Sequence, residues 1–258
     1  MEQLGGIARR GPFTHVVISC EHASNRLPAR YADLGLKPGV LNTHVAWDPG
    51  ARPVARHCAR RLGCRYHEGR YSRLLIDLNR NLHNPKLIPR LSFGVPIPGN
   101  AAVSTAEREA RLHRYYTPYR DGVLRDIRHT VGRRETCMHV SVHSFTPRLG
   151  GRTRRADVGV LYDPGRVVER WLAGRLVDAI KQKGLHVRRN YPYRGTSDGL
   201  TTFCRSVFPR GAYAGIELEI NQALLGHGRA VRDIAESLAS SLEAVMADEF
   251  RTGKGSVT

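Results

Sequence analysis

Two kinds of hydrophobic pattern alternate along the chain. Short apolar runs, many rich in valine and isoleucine and bounded by polar turns, predict buried strands. These runs cover residues 15–20, 74–78, 137–145, 157–163, 186–190 and 213–221. Apolar residues at helical spacing predict helices over residues 51–63, 104–132, 167–184 and 229–250. Strands that alternate with helices favour a three-layer α/β fold, with a mostly parallel or mixed central sheet flanked by helices.

Local signals refine this outline. Ser104 and Glu107 form a capping box at the start of the long second helix, and Pro118 is expected to kink or divide it. With 258 residues, 41% of them apolar, the chain can bury one sizeable core. We therefore expect a single domain over residues 1–258, with flexible termini at 1–12 and 252–258.

Polar residues gather at or near the carboxyl ends of the predicted strands. They are Glu21, His22, Asp48, residues 77–81, His143, Glu217 and Glu219. Because the carboxyl ends of parallel strands meet at one edge of a sheet, these side chains can converge there. Two histidines and a carboxylate make an open zinc site, and a second carboxylate can act as general base. An asparagine–arginine pair suits a substrate carboxylate, so the set indicates metal-assisted hydrolysis of an anionic acyl compound.

Each of these residues alone has a simpler explanation. A single histidine such as His22 is more often structural than a metal ligand. Glu217 and Glu219 share one face of a strand, as an edge strand with that face in solvent would also show. Asp48 precedes Pro-Gly and fits a turn, and Asp77 fits a strand-end turn with salt bridges. Only the combination favours a reactive site.

The net charge of +18 raises the possibility of a nucleic-acid partner. The basic residues are nearly all arginines spread along the whole chain, without interleaved aromatic residues, so a solvated arginine-rich surface is the simpler reading and we expect no nucleic acid. The five cysteines lack CxxC spacing, which favours reduced thiols. No apolar run reaches 18 residues and the first residues lack a secretory h-region, so we expect a cytoplasmic protein without a membrane partner.

Six motifs occur in an order that points to one family. They are "CEHASNRLP", "HVAWDPGA", "YSRLLIDLNR", "IPGN", "VHSFTP" and "ELEIN", beginning at residues 20, 44, 71, 97, 142 and 217. Together they resemble the N-formylglutamate amidohydrolase family, over about residues 15–245. That family is similar in fold to the zinc carboxypeptidases and the aspartoacylases, so the resemblance implies a zinc-carboxypeptidase-like domain.

The resemblance also implies roles for particular residues. His22 and His143 would bind Zn²⁺ or another divalent metal, and Asn79 and Arg80 would hold the substrate carboxylate. Glu219 would be the general base. We further expect Arg73 to stabilise the oxyanion. A second substrate carboxylate needs further cations, and the candidates near "HSFTP" are Arg148, Arg154 and Arg155.

The chain departs from the related patterns in three places. The carboxypeptidase pattern His-x-x-Glu is absent, because Asn25 stands three residues after His22. We expect Asp48 to supply the third ligand, with Glu21 as the alternative. The family's Glu-Ile-Arg-Asn-Asp is replaced by residues 219–222, Glu-Ile-Asn-Gln, and its Pro-Tyr-His by residues 118–120, Pro-Tyr-Arg. Both changes indicate an altered substrate pocket.

The sequence therefore predicts a zinc-dependent amidohydrolase that acts on a small anionic N-acyl amino acid. The prototype reaction is hydrolysis of N-formyl-L-glutamate to formate and L-glutamate. A carboxypeptidase or peptide amidase would use the same residues on a longer substrate. A binding module that has lost catalysis and a basic nucleic-acid-binding protein are the alternatives of another class.

Overall fold

The computed structural model describes Phe13, residues 15–133 and residues 135–248. The flexible termini predicted at residues 1–12 and 252–258 lie outside these ranges, as do the last two residues of the helix predicted at 229–250. No helix in the described ranges is both long enough and apolar enough to cross a lipid bilayer.

Ten strands and six α-helices, with short 3-10 and π-helical turns between them, make up the regular structure of the described residues. The strands are β1 His15–Cys20, β2 Arg65–Glu68, β3 Leu91–Ser92, β4 Val95–Pro96, β5 Cys137–Phe145, β6 Arg148–Leu149, β7 Arg152–Thr153, β8 Val158–Leu161, β9 Val187–Arg189 and β10 Tyr213–Asn221. The helices are α1 Ala51–Leu62, α2 Thr105–Arg111, α3 Thr117–Gly132, α4 Val167–Lys181, α5 Leu200–Val207 and α6 Gly228–Ala247. The predicted bounds of β1, β5 and β10 agree with those observed.

Six of the strands form one mixed sheet in the order β2-β1-β5-β10-β8-β9. Strands β2, β1, β5 and β10 are parallel, and β8 runs antiparallel to β10. The carboxyl ends of β1, β5 and β10 therefore meet at the same edge. Strands β3 with β4 and β6 with β7 form two short hairpins outside this sheet.

Helices cover both faces of the sheet. Helices α1, α4 and α6 pack on one face in the main hydrophobic core, against alternate residues of β1, β5, β8 and β10. Helices α3 and α5 pack on the other face in a smaller cluster that includes Val17, Cys137 and Tyr213. The predicted three-layer α/β fold with a mixed sheet is confirmed.

The long helix predicted at 104–132 is divided. Ser104 Oγ accepts a hydrogen bond from the Glu107 amide at 3.1 Å and caps α2 as expected. A π-helical turn, Leu112–Tyr116, then separates α2 from α3, whose second residue is Pro118. Proline lacks an amide hydrogen and crowds the preceding turn, which accounts for the break at this point.

The prediction of a strand at residues 74–78 is wrong. These residues are buried in turns and irregular backbone, and side chains rather than a neighbouring strand bind the carbonyl groups of Leu74, Leu75 and Leu78. Asn100 donates to the Leu74 carbonyl at 2.7 Å and Arg111 donates to the Leu75 carbonyl at 3.0 Å. A short apolar run shows burial, but it does not show which partners satisfy its backbone.

The hydrophobic pattern missed β2 and α5. Strand β2 is an edge strand with the polar sequence Arg-Tyr-His-Glu, so it has no apolar alternation to detect. Helix α5 has only eight residues. Both elements matter for the site. Helix α5 starts beside Asn79. Gly69, the residue after β2, packs against the Glu21 carbonyl.

Candidate metal and hydrolase site

The polar residues of the site lie on one face of the sheet because strand side chains alternate in direction. On β10, Glu217 and Glu219 face the side of α3 and α5, whereas Ile216, Leu218 and Ile220 enter the main core. Glu219 is paired in register with His143 on β5. Strand β10 lies inside the sheet, and Glu217 and Glu219 are only 8% and 5% exposed. The explanation of a solvated edge strand is therefore wrong.

His22, Asp48 and His143 come together at the carboxyl edge of the sheet. One potential ligand atom from each lies within 4.8 Å of the other two. The Oδ2 atom of Asp48 is 3.3 Å from Nδ1 of His22 and 2.8 Å from Nδ1 of His143. Two ligands of a tetrahedral zinc lie about 3.4 Å apart, given bonds of about 2.0–2.2 Å. The donor types and their spacing fit a divalent metal.

Each imidazole is held by its own carboxylate, which contacts the ring nitrogen that faces away from Asp48. Nε2 of His22 lies 2.7 Å from Oδ1 of Asp77, and Nε2 of His143 lies 3.0 Å from Oε2 of Glu21. These contacts fix each ring with Nδ1 turned towards Asp48. Carboxylates that bind the second nitrogen in this way are typical of metal-binding histidines. In this geometry Glu21, the alternative ligand, contacts the ring nitrogen that faces away from Asp48.

The electrostatic environment differs between the two histidines. Burial, together with the positive charge of Arg73, lowers the pKa of His22 to about 4, so its imidazole is neutral at pH 7. Burial also acts to lower the pKa of His143, but the hydrogen bond and charge of Glu21 outweigh it and raise that pKa to about 9. Arg73 donates to Oδ1 of Asp48. Without a metal, Arg73 and His143 thus supply the positive charge around Asp48.

Glu219 has the environment of a general base. Its Oε2 atom is buried and has no hydrogen-bond partner within the described part of the chain. Burial, with the nearby charge of Glu217, raises the pKa of Glu219 to about 7, although His143 and Arg73 act in the opposite direction. A carboxylate with a pKa near the working pH can both accept and return a proton.

The loop that carries Asn79 and Arg80 is fixed from several sides. Asn79 Oδ1 accepts a hydrogen bond from the Leu200 amide at 2.6 Å, and its Nδ2 lies 3.3 Å from Nε2 of His143. Arg80 donates to the Asp198 carbonyl at 2.7 Å and keeps about a third of its side chain exposed to the cavity. The Arg120 guanidinium donates to the Leu78 carbonyl at 3.1 Å. Arg120 therefore supports the backbone that presents Asn79 and Arg80.

A cavity of about 490 Å³ joins these groups. All seven predicted site residues line it: His22, Asp48, Arg73, Asn79, Arg80, His143 and Glu219. Arg148, Arg154 and Arg155 are not among its lining residues, but the Arg154 guanidinium lies over the rings of Phe145 and Tyr193, which are. A role for these arginines in binding a second carboxylate stays a prediction. Two basic residues that the sequence did not single out, Lys86 and Arg194, line the cavity instead. They lie in irregular segments without an apolar pattern, so no sequence signal located them.

Comparison with known proteins places this chain among the amidohydrolases. The model of the family described as N-formylglutamate amidohydrolase matches residues 14–225. The chain belongs to the N-formylglutamate amidohydrolase family. It is therefore a hydrolase of amide bonds.

Two solved structures are similar to this chain. Gene product Atu2144 from Agrobacterium tumefaciens is 34% identical, with 90% of each chain covered and a TM-score of 0.81. The N-formylglutamate amidohydrolase from Ralstonia eutropha JMP134 is 21% identical, with 89% of this chain and 92% of that chain covered and a TM-score of 0.63. The second likeness shows a shared fold. No match was found among curated proteins.

Proposed function

We propose that this protein is a metal-dependent amidohydrolase that cleaves the N-acyl amide of an acidic amino acid, with N-formyl-L-glutamate as the prototype substrate. One observation carries the proposal: the potential ligand atoms of His22, Asp48 and His143 converge in the same cavity as the buried carboxylate of Glu219. Membership of the N-formylglutamate amidohydrolase family supports the substrate class.

His22, Asp48 and His143 would hold Zn²⁺ or another divalent metal. Two imidazole nitrogens and one carboxylate oxygen leave a fourth position open, which is the arrangement of catalytic rather than structural zinc sites. Bound there, the metal would polarise the acyl carbonyl and lower the pKa of the attacking water. Asp77 and Glu21 orient the two imidazoles and increase their basicity through the Nε2 contacts.

Glu219 acts as general base and then as general acid in this proposal. Its carboxylate takes the proton from the attacking water as the carbon–oxygen bond forms. It returns the proton to the amide nitrogen as the carbon–nitrogen bond breaks. A pKa of about 7 suits both transfers, and the absence of a competing partner on Oε2 leaves that oxygen available.

Arginine side chains would bind the negative charges of the substrate and of the tetrahedral intermediate. Arg73 lies beside Asp48, and its Nε is a buried donor without a hydrogen-bond partner within the described ranges, so it can stabilise the oxyanion. Arg80, held in place by the loop of Asn79, binds the α-carboxylate. Lys86 and Arg194 form no ion pair within the described residues and can take the second carboxylate of an acidic amino acid.

Metal-dependent release of the acyl group tests this proposal. The protein is stripped with a chelator, reloaded with zinc, and assayed for formate release from N-formyl-L-glutamate. N-formyl-L-glutamine, which keeps the α-carboxylate but has an uncharged side chain, is the matched control substrate. We expect hydrolysis only after reloading, with a lower kcat/KM for the glutamine compound. Failure of the zinc-loaded protein to hydrolyse any N-acyl acidic amino acid would contradict the proposal. Release of C-terminal residues from peptides under the same conditions would favour the carboxypeptidase alternative.

A further inference from the structure

Exposed apolar side chains are concentrated around the mouth of the cavity. Six large apolar side chains are exposed among the described residues, and three of them line this one cavity. These are Leu91, Phe93 and Tyr193, which are 56%, 44% and 39% exposed. Scattered exposed apolar residues are normal, but a group beside a reactive site marks a surface that a ligand covers.

Phe93 is held in a backbone conformation that a bulky residue rarely adopts. It lies with Gly94 in the two-residue turn between β3 and β4, where their φ angles are +48° and +82°. Such turns favour Asn, Asp or Gly at both positions, because other side chains are strained at positive φ. Strain of this kind persists where the side chain has a use that outweighs its cost to folding.

The hairpin of β3 and β4 is anchored to the segment that carries Asp48. Ser92 Oγ donates to the Val45 carbonyl at 3.2 Å, and the Phe93 ring packs edge-on against His44 with 4.9 Å between ring centroids. The adjacent Ala46 carbonyl accepts a hydrogen bond from the Arg73 amide. The apolar hairpin therefore belongs to the side of the cavity where Arg73 and Asp48 meet.

We propose that Phe93, Leu91 and Tyr193 form a subsite for an apolar acyl group, so that the substrate is an acidic amino acid acylated with a group larger than formyl. This rests on the function proposed above. With the amino acid's carboxylate at Arg80 and the scissile carbonyl beside Arg73, the acyl chain extends towards the hairpin. Burial of a phenyl-sized group against Phe93 and Tyr193 supplies binding energy that formyl cannot.

A specificity ratio measures this subsite. The zinc-loaded protein is assayed for kcat/KM with N-phenylacetyl-L-glutamate, N-formyl-L-glutamate and N-formyl-L-phenylalanine. We expect the wild type to prefer the phenylacetyl compound to N-formyl-L-glutamate. Phe93→Gly should reduce that preference by about 10- to 100-fold. Because glycine tolerates positive φ, the same variant should melt no lower than the wild type.

The control variant is Val167→Ser, which removes a comparably exposed apolar side chain away from the cavity. It should keep the wild-type ratio. An unchanged ratio in Phe93→Gly would overturn the subsite. A loss confined to N-formyl-L-phenylalanine would overturn the placement on the acyl side, because that compound carries its ring on the amino acid.

A binding measurement separates failure of the subsite from failure of the hydrolase proposal. If the zinc-loaded protein hydrolyses neither acylated glutamate, calorimetric titration can still measure the affinity for each compound. Tighter binding of the phenylacetyl compound, weakened about 10-fold or more by Phe93→Gly, would uphold the subsite even in that case. Equal binding of the two compounds, or the same affinities in wild type and Phe93→Gly, would overturn it.

Discussion

The Nε2 atom of His22 lies 2.7 Å from the Oδ1 atom of Asp77, and both side chains are almost completely buried. This contact decides which nitrogen of His22 faces the proposed metal site. The Asp77 carboxylate accepts a hydrogen bond from Nε2, and the unprotonated Nδ1 of the neutral ring points at Asp48. Nε2 of His143 makes the corresponding contact with Oε2 of Glu21 at 3.0 Å.

Asp77→Asn should weaken zinc binding by about 10- to 100-fold, because the amide orients His22 less firmly and makes its imidazole less basic. Competition with a chromophoric chelator measures this affinity. The matched control is Asp126→Asn, which disturbs a similar contact of 2.8 Å to His67 outside the cavity. If both variants bind zinc as the wild type does, Asp77 does not support a metal ligand.

His22→Ala and His143→Ala should each lose bound zinc while the protein stays folded. Each substitution removes one of the three proposed ligands, and the hydrophobic cores on both faces of the sheet are untouched. Elemental analysis of the purified variants, with circular dichroism as the test of folding, provides the measurement. His139→Gln, on the same face of β5, should keep its zinc. Stoichiometric zinc in both alanine variants would exclude these two ligands.

The third ligand is tested by comparing Asp48→Asn with Glu21→Gln. We expect Asp48→Asn to lower zinc affinity by at least about 10- to 100-fold and more than Glu21→Gln does, because Asp48 faces Nδ1 of both histidines. The chelator competition that serves for Asp77 gives both affinities. The reverse order, with Asp48→Asn at wild-type affinity, would make Glu21 the ligand.

His139 should make the protein less stable in mild acid. Its ring is buried between Ser19 Oγ at 2.8 Å and the Tyr213 hydroxyl at 2.9 Å, and burial lowers its pKa from 6.5 to about 4. Between these pH values the unfolded chain binds a proton that the folded protein does not. The contribution of His139 to the free energy of unfolding is therefore complete above pH 6.5. It falls by about 3 kcal/mol on acidification to pH 4.

Urea unfolding at pH 7 and pH 4.5 measures this effect. His139→Gln should lose less of its free energy of unfolding between the two pH values than the wild type does. His113→Gln is the control, since the side chain of His113 is exposed in the folded protein. Equal losses in wild type and His139→Gln would show that His139 does not take up a proton on unfolding.

Much of the site could be predicted because strand geometry links sequence position to location in space. The alternation in β10 placed Glu217 and Glu219 on one face, and the ends of β1 and β5 placed His22 and His143 at one edge. The resemblance to a family then singled out the Asn79–Arg80 pair, whereas Asp48 and Arg73 were chosen from their positions beside the predicted strand ends. The structure brings all of these residues into one cavity.

Other parts depend on contacts that a sequence pattern does not contain. The run at 74–78 is buried as expected, but Asn100 and Arg111 rather than a strand satisfy its carbonyls. The support of His22 by Asp77 joins residues 55 positions apart through their side chains. Lys86 and Arg194 reach the cavity from irregular segments whose path depends on the whole fold.

The most direct test of the account is zinc content and turnover measured on the same sample of Glu219→Gln. The variant and the wild type are loaded with zinc. Release of formate from N-formyl-L-glutamate and of phenylacetate from N-phenylacetyl-L-glutamate is then followed. Because Glu219 is a base and not a ligand in this account, the variant should hold as much zinc as the wild type and lose turnover by about 10²–10⁴-fold. Wild-type turnover in zinc-loaded Glu219→Gln would contradict it.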